Sequence, residues 1–126
     1  MNPEQLIEKY NIKLVEHLES FFPGAGIYQD AVQEDETDLS KINHVVFETG
    51  GFERTSAMTF KQDVVVYFFS ENREDLDILQ LMFMNSLAPT GHTCSKSSKD
   101  RMRKKDTEYF VDVIRFDLTR NVKYVC

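Results

Sequence analysis

Residues 57–69 set the first constraint on the fold. Met58, Phe60, Val64, Val66 and Phe68 share one parity, while Thr59, Lys61, Asp63, Val65, Tyr67 and Phe69 take the other. A strand places alternate residues on opposite faces. The first half of this segment therefore reads as wet on one side, and the second half as apolar on both. Such a strand needs neighbours in a sheet and cover for at least one face. A chain of 126 residues has room for one core of this kind, so a single domain spanning 1–126 is expected.

Two amphipathic segments can supply the cover. Asn2, Pro3 and Gln5 stand in the order that favours a helix start, a side-chain cap, a first-turn proline and a capping-box partner. Leu6, Tyr10, Leu14 and Leu18 then recur every fourth residue. Ile7, Val15 and Phe22 widen that stripe, and Glu8, Lys9, Lys13, Glu16 and Glu19 point elsewhere, which is the pattern of a helix packed on one side. Pro23-Gly24 ends it. A second helix is predicted with Asn72 as its cap and Asp75 three residues on. Leu76, Leu79, Phe83 and Leu87 form its stripe, flanked by Ile78 and Met82, and Pro89 and Gly91 close it.

The remaining strands are shorter. Residues 26–32 read as one, followed by a polar acidic loop at 33–41. Residues 42–49, rich in β-branched residues and Phe, form another that Gly50-Gly51 breaks. Residues 92–106 are polar and basic, an exposed strand or a mobile loop. The last strand covers 109–119, with Phe110, Ile114, Phe116 and Leu118 on one face and Tyr109, Val111 and Val113 on the other. The tail from Asn121 can continue it. Consecutive strands with short links favour antiparallel pairing. The expected fold is α+β, a mainly antiparallel β-sheet packed against two α-helices on one face.

Charge is unevenly placed. There are 15 Lys and Arg against 21 Asp and Glu, a net charge of −6. Residues 1–95 hold 16 acids and 6 bases, and residues 96–126 hold 5 acids and 9 bases. The densest acidic cluster is Glu34, Asp35, Glu36 and Asp38, and the densest basic run is Lys96, Lys99, Arg101, Arg103, Lys104 and Lys105. Such asymmetry fits two faces that attract each other, or a nucleic-acid patch, or two solvated loops. A single basic run on an acidic protein is a narrow footprint for DNA. The apolar runs at 64–69 and 81–84 fall far short of the ~20 residues of a membrane helix. The opening Met1-Asn2-Pro3-Glu4 has no secretory pattern.

Residues that carry chemistry are sparse. No phosphate loop, dinucleotide fingerprint, nucleophile elbow or paired-His zinc helix is present. Gly24-Ala25-Gly26 precedes a strand, where it serves a turn. The histidines are His17, His44 and His92. His92 and Cys94 make a His-x-Cys pair, but zinc needs three or four ligands held together, and the spacing of His44 and Cys126 supplies none. Cys94 with His92 is the one nucleophile–base candidate, with Lys96 near enough to lower the thiol pKa. Two cysteines, Cys94 and Cys126, fit a reducing cytoplasm better than a disulfide scaffold. Tyr109-Phe110 beside the bases has the aromatic-plus-base look of single-strand binders, but its place in an alternating strand favours packing. No cofactor or metal is expected.

Strands apolar on both faces leave one face uncovered by helices, and an exposed apolar face suggests a partner. Opposite charges at two places on one subunit suit head-to-tail contacts, which close into a ring when the rotation allows.

The chain as a whole is then similar to a known group. An N-terminal amphipathic helix, a Pro-Gly turn, a strand, an acidic loop and a β-hairpin come first. A helix over 72–87 follows, then a polar arm leading into Tyr109-Phe110-Val111-Asp112-Val113-Ile114-Arg115-Phe116-Asp117-Leu118-Thr119. This order resembles the tail terminator and head-to-tail joining proteins of long-tailed bacteriophages. The resemblance spans nearly the whole chain and rests on element order and size, with no residue motif. It implies a non-enzymatic structural subunit, made in the bacterial host cytoplasm and placed in the virion at the tail or neck. Such subunits form a ring, commonly a hexamer, that ends the tail tube and docks to the head connector. DNA passes through the lumen without specific binding, and no membrane is involved. Charge alone marks Glu34, Asp35, Glu36 and Asp38, and Lys96, Lys99, Arg101, Arg103, Lys104 and Lys105, as the assembly surfaces. The alternatives are a small nucleic-acid-binding module using 96–105, a bacterial protein-binding adaptor, and an enzyme using Cys94.

Overall fold

The local signals at the N-terminus produce the helix they predict. In a computed structural model, α1 spans Pro3–Phe21 behind Asn2, whose Oδ1 accepts from the Gln5 backbone N–H at 2.8 Å while Gln5 Oε1 accepts from the Asn2 N–H at 3.3 Å. The chain then forms β1 (Gly26–Gln29), β2 (His44–Arg54), β3 (Thr59–Glu71), α2 (Leu76–Ser86), a 3-10 turn at Ala88–Thr90, β4 (His92–Arg103) and β5 (Phe110–Lys123). The structure describes residues 2–30, 44–71, 74–103 and 110–124. The acidic cluster Glu34, Asp35, Glu36 and Asp38, the bases Lys104 and Lys105, the predicted cap Asn72, and Tyr109 and Cys126 lie outside the described residues.

The five strands form one sheet in the order β1-β2-β3-β5-β4. Three of its four pairings are antiparallel, and β1 pairs parallel to β2. The fold is α+β as expected, with a mainly antiparallel sheet. The parallel pair corrects the expectation for the first two strands. Antiparallel strands can be joined by a tight turn, whereas a parallel pair needs a connection of about a dozen residues or more. The stretch between Gln29 and His44 is long enough to allow it.

Register explains why both helices lie on one face. Val45 faces Phe68, which faces Ile114; Phe47 faces Val66, which faces Phe116; Val64 faces Leu118. These side chains share a core with Leu14, Leu18 and Phe22 at the α1 end and Leu76, Leu79 and Phe83 of α2. Phe83 sits at the centre, its ring 4.3 Å from Phe116 and 5.5 Å from Phe22, and Phe22 stacks on Phe68 at 4.3 Å. Burying each such side chain is worth roughly 1.5–3 kcal/mol, which is why the Leu/Phe stripes decide where the helices dock.

Three further segments bear on the expectations. Of the two readings of 92–106, exposed strand or mobile loop, the strand holds over His92–Arg103, which pairs with β5. Its polarity left both readings open, because an edge strand has little apolar alternation to read. Gly50-Gly51 does not end β2; the two glycines oppose the single residue Asp63 and the strand runs on to Arg54. This is a β-bulge, and a Cβ on Gly50 would lie 3.2 Å from the Asp63 carbonyl oxygen. Finally, α2 starts at Leu76 with Asp75 in the N-cap position, later than a cap at Asn72 would place it. Pro23-Gly24 does end α1, and Gly24 adopts φ +82°, the left-handed region that glycine enters without strain.

Candidate assembly surfaces

The basic segment lies on one rim of the sheet. Because β4 is an edge strand, its residues alternate between the helix side and the far side. Ser97, Lys99 and Arg101 stand opposite Phe116, Ile114 and Asp112, on the helix side; Lys96, Ser98 and Asp100 stand opposite Asp117, Arg115 and Val113. Ser95 is the extra residue of a second bulge, between Cys94 and Lys96. Arg103 closes the strand opposite Phe110.

The structure brings two of these bases onto acids of the same chain. Lys99 pairs with Asp77 in the first turn of α2. Arg101 donates from Nε to Asp112 Oδ1 at 2.7 Å, and Asp112 is fully buried while Arg101 is half-exposed. That hydrogen bond and the charge of Asp112 make the Arg101 guanidinium harder to deprotonate. Gln80 of α2 also donates to Ser97 Oγ at 2.8 Å. Lys99 and Ser97 therefore fasten α2 to the sheet rim, and Arg101 ties β4 to β5. The β4 bases also place charge on an exposed edge, where it discourages edge-to-edge pairing with other strands. The sequence marked these residues by charge, and their partners Asp77 and Asp112 were not visible in it.

The apolar surface is not where the strand pattern put it. On the sheet face away from the helices, His44 and Val46 are buried, and Val65, Tyr67, Phe69 and Val113 are half-buried. His44 stacks on Phe69 with ring centres 4.5 Å apart, and the Arg115 guanidinium lies over Tyr67 at 5.8 Å. The most exposed large apolar residues are on α2, while Ile12, Phe52 and Met58 elsewhere are about half exposed. Ile78, Leu81 and Met82 are 63%, 71% and 59% exposed. They lie on the side of α2 opposite Leu76, Leu79 and Phe83, a consequence of 3.6 residues per turn. Flanking positions of the core stripe, Ile78 and Met82, were legible in the sequence, but their exposure was not.

A second surface lies along α1. Ile7, Ile12 and Val15 floor a groove of about 610 Å³, edged by Glu4, Glu8, Glu16 and Glu19 of the same helix and Gln29 of β1. The other side of α1 turns to α2, where His17 Nε2 meets Ser86 Oγ at 2.8 Å and the His17 ring lies 6.0 Å from Phe83.

The titratable side chains are held in structural roles. The Ser86 hydroxyl donates to the Phe83 carbonyl at 2.7 Å, so its proton is committed and His17 must be the donor to its oxygen. That is the reverse of what a nucleophile–base pair requires. Burial lowers the His17 pKa. Cys94 Sγ donates to the Lys96 carbonyl at 3.4 Å, and burial pushes its thiol pKa up, away from thiolate reactivity. His92 is buried, and its Nδ1 lies 3.2 Å from the Thr90 carbonyl and 3.1 Å from Thr90 Oγ1. The Thr90 hydroxyl is spent on the Leu87 carbonyl at 2.6 Å, so Nδ1 carries the His92 proton. Burial, and then the charge of Arg120, lower the His92 pKa to about 4.

Arg120 is the residue that sequence reasoning missed altogether. It is 1% exposed, donates from Nε to Gln62 Oε1 and from Nη1 to Asn11 Oδ1, both at 2.8 Å, and lies over the Tyr10 ring at 5.8 Å. Arg120 shares parity with Ile114, Phe116 and Leu118, and that parity was the available signal. Among the described residues no group of three His, Cys, Asp or Glu is placed to hold a metal ion, and no helix is long and apolar enough to cross a membrane.

The chain matches no model of a known protein family, and comparison with curated proteins gives no match.

Proposed function

We propose that this chain is a non-enzymatic structural subunit that associates head to tail into a ring. In this reading the ring sits at the head-proximal end of a long-tailed phage tail, ends the tube and joins it to the head connector. The observation that carries the proposal is the row Ile78, Leu81 and Met82 on α2, more than half exposed at every position. Three adjacent large apolar side chains on a helix surface cost solubility and contribute nothing to this chain's own core, which suits a subunit that buries them on assembly. The resemblance in element order supplies the phage setting. The net charge of −6 suits a lumen through which DNA slides without being held. A DNA-binding module is less well supported, because Lys99 and Arg101 are engaged by Asp77 and Asp112.

The test is electron microscopy of the concentrated protein together with a DNA mobility-shift assay at about 0.15 M salt, where a phosphate-binding module still binds. Rings of one size with a central opening, and no retarded DNA, are expected. A particle without an opening that retards DNA in a salt-sensitive way would overturn the proposal in favour of nucleic-acid binding.

A further inference from the structure

We infer that an apolar cleft beside the first turns of α1 binds a small aliphatic carboxylate, a fatty-acid-like molecule with a single negative charge. The cleft has a volume of about 300 Å³. Pro3, Leu6 and Ile7 of α1 form one wall, and Phe52, Phe60 and Val122 of the sheet form the other. It shares only Ile7 with the α1 groove and nothing with the α2 row. A site here is independent of how subunits associate.

The bulge at Gly50-Gly51 builds this site. Up to Thr49, the odd-numbered residues of β2 face the helices: Val45 stands opposite Phe68, Phe47 opposite Val66 and Thr49 opposite Val64. With two glycines set against Asp63 the alternation shifts, and Phe52 and Arg54 take the helix face, opposite Gln62 and Phe60. A regular strand would put Glu53 on that face; in the bulged strand Glu53 stands on the far face, opposite Lys61. One inserted residue thus exchanges an acid for a base at the end of the cleft and supplies its aromatic wall, the re-aiming of side chains that bulges perform beside functional sites. Phe52 is 53% exposed, so it adds little to this chain's own core.

Charge and lining together define the occupant. Arg54, Phe60 and Val122 are aligned across β2, β3 and β5. The Arg54 guanidinium lies over the Phe60 ring at 4.5 Å, and its Nη1 donates to the Ala57 carbonyl at 2.7 Å. No acid among the described residues pairs with Arg54. Glu4, in the first turn of α1, edges the α1 groove. The walls of the cleft present no polar surface, so a polar group held between them would go unsatisfied, and the body of the ligand must be hydrocarbon. Its head meets Arg54. A guanidinium holds a carboxylate through two parallel hydrogen bonds, and one cation matches one negative charge. The net charge of −6 opposes a more highly charged head such as a phosphate monoester.

The test is a titration of the isotope-labelled full chain with octanoate at neutral pH, followed by amide NMR shifts. Octanoate is expected to bind one molecule per chain and to move the amides of Leu6, Phe52, Phe60 and Val122. Octanol, which has the same body without the charge, is expected to bind about tenfold more weakly. Arg54→Gln is expected to weaken octanoate about tenfold and to leave octanol unchanged. Phe52→Asp is expected to weaken both ligands. Both positions are exposed, and circular dichroism of each variant is expected to match the parent. Equal affinity of the parent for octanoate and octanol would overturn the carboxylate assignment. Shifts confined to Ile78, Leu81 and Met82 would put the ligand on α2 and overturn the site. No shift at millimolar octanoate would overturn both.

Discussion

His92 on β4 lies directly across from Arg120 on β5, and the two are 2% and 1% exposed. A buried guanidinium beside a buried imidazole is tolerable only while the imidazole is neutral. Its Nδ1 proton is directed at Thr90, which leaves Nε2 as a lone pair, and neither Nε2 nor Arg120 Nη2 has a hydrogen-bond partner among the described residues. Protonating His92 would put a second positive charge next to the first in a poorly solvated place.

This arrangement makes stability depend on pH. The folded-state pKa of His92 is lowered to about 4 from 6.5, so between those values the unfolded chain binds more protons and acid favours unfolding. The contribution is fully present above pH 6.5 and is lost as pH falls towards 4, about 3 kcal/mol in all. The lowered pKa of His17 acts in the same direction. Urea midpoints at pH 7 and pH 5 should show a loss for the parent that is clearly smaller in His92→Gln. Equal losses in the two proteins would contradict the account.

The two paired bases of β4 should not be equivalent. Lys99 meets Asp77 in water, so Lys99→Ala is expected to cost less than about 1 kcal/mol. Arg101 is hydrogen-bonded to a fully buried carboxylate, so Arg101→Ala removes a charge-assisted hydrogen bond from a buried group and should cost more than Lys99→Ala. Denaturant titration of both variants measures the order, and the reverse order would contradict the geometry.

Two neighbours on α2 should separate packing from assembly. Phe83 is fully buried among Phe22 and Phe116, and Phe83→Ala is expected to cost about 3–5 kcal/mol. Leu81, 71% exposed, should change monomer stability by less than about 0.5 kcal/mol when replaced by Ala. Similar losses at dilute concentration would mean that Leu81 packs within its own subunit.

What was legible in the sequence followed the range over which each signal acts. Asn2 and Gln5 interact within one turn around Pro3, so the start of α1 is readable from four residues. The parity of Val64, Val66 and Phe68 gave the core face of β3 because a strand's period is built into the chain. The parallel pairing of β1 was not readable, since it depends on which strand Gly26–Gln29 meets across a long connection. Gly50-Gly51 is a bulge only because Asp63 stands opposite. The polar strand β4 is held by its pairing with β5 and by Gln80, Asp77 and Asp112, partners far away in sequence. Asp112 and Arg120 carried a readable signal in their parity with Ile114 and Phe116, but the usual exposure of charged residues argues against reading it. Of the proposed assembly surfaces, the basic run was visible as charge. The exposed row on α2 emerges only when Leu76, Leu79 and Phe83 are seen to occupy the core side of the helix.

The central claim is self-association, and solution mass tests it most directly. Light scattering across a wide concentration range, at low and high salt, should give a mass that rises from 14.7 kDa to a defined multiple and holds there. High salt should weaken charged contacts between subunits without abolishing an apolar one. A mass of one chain at every concentration and salt would contradict the account.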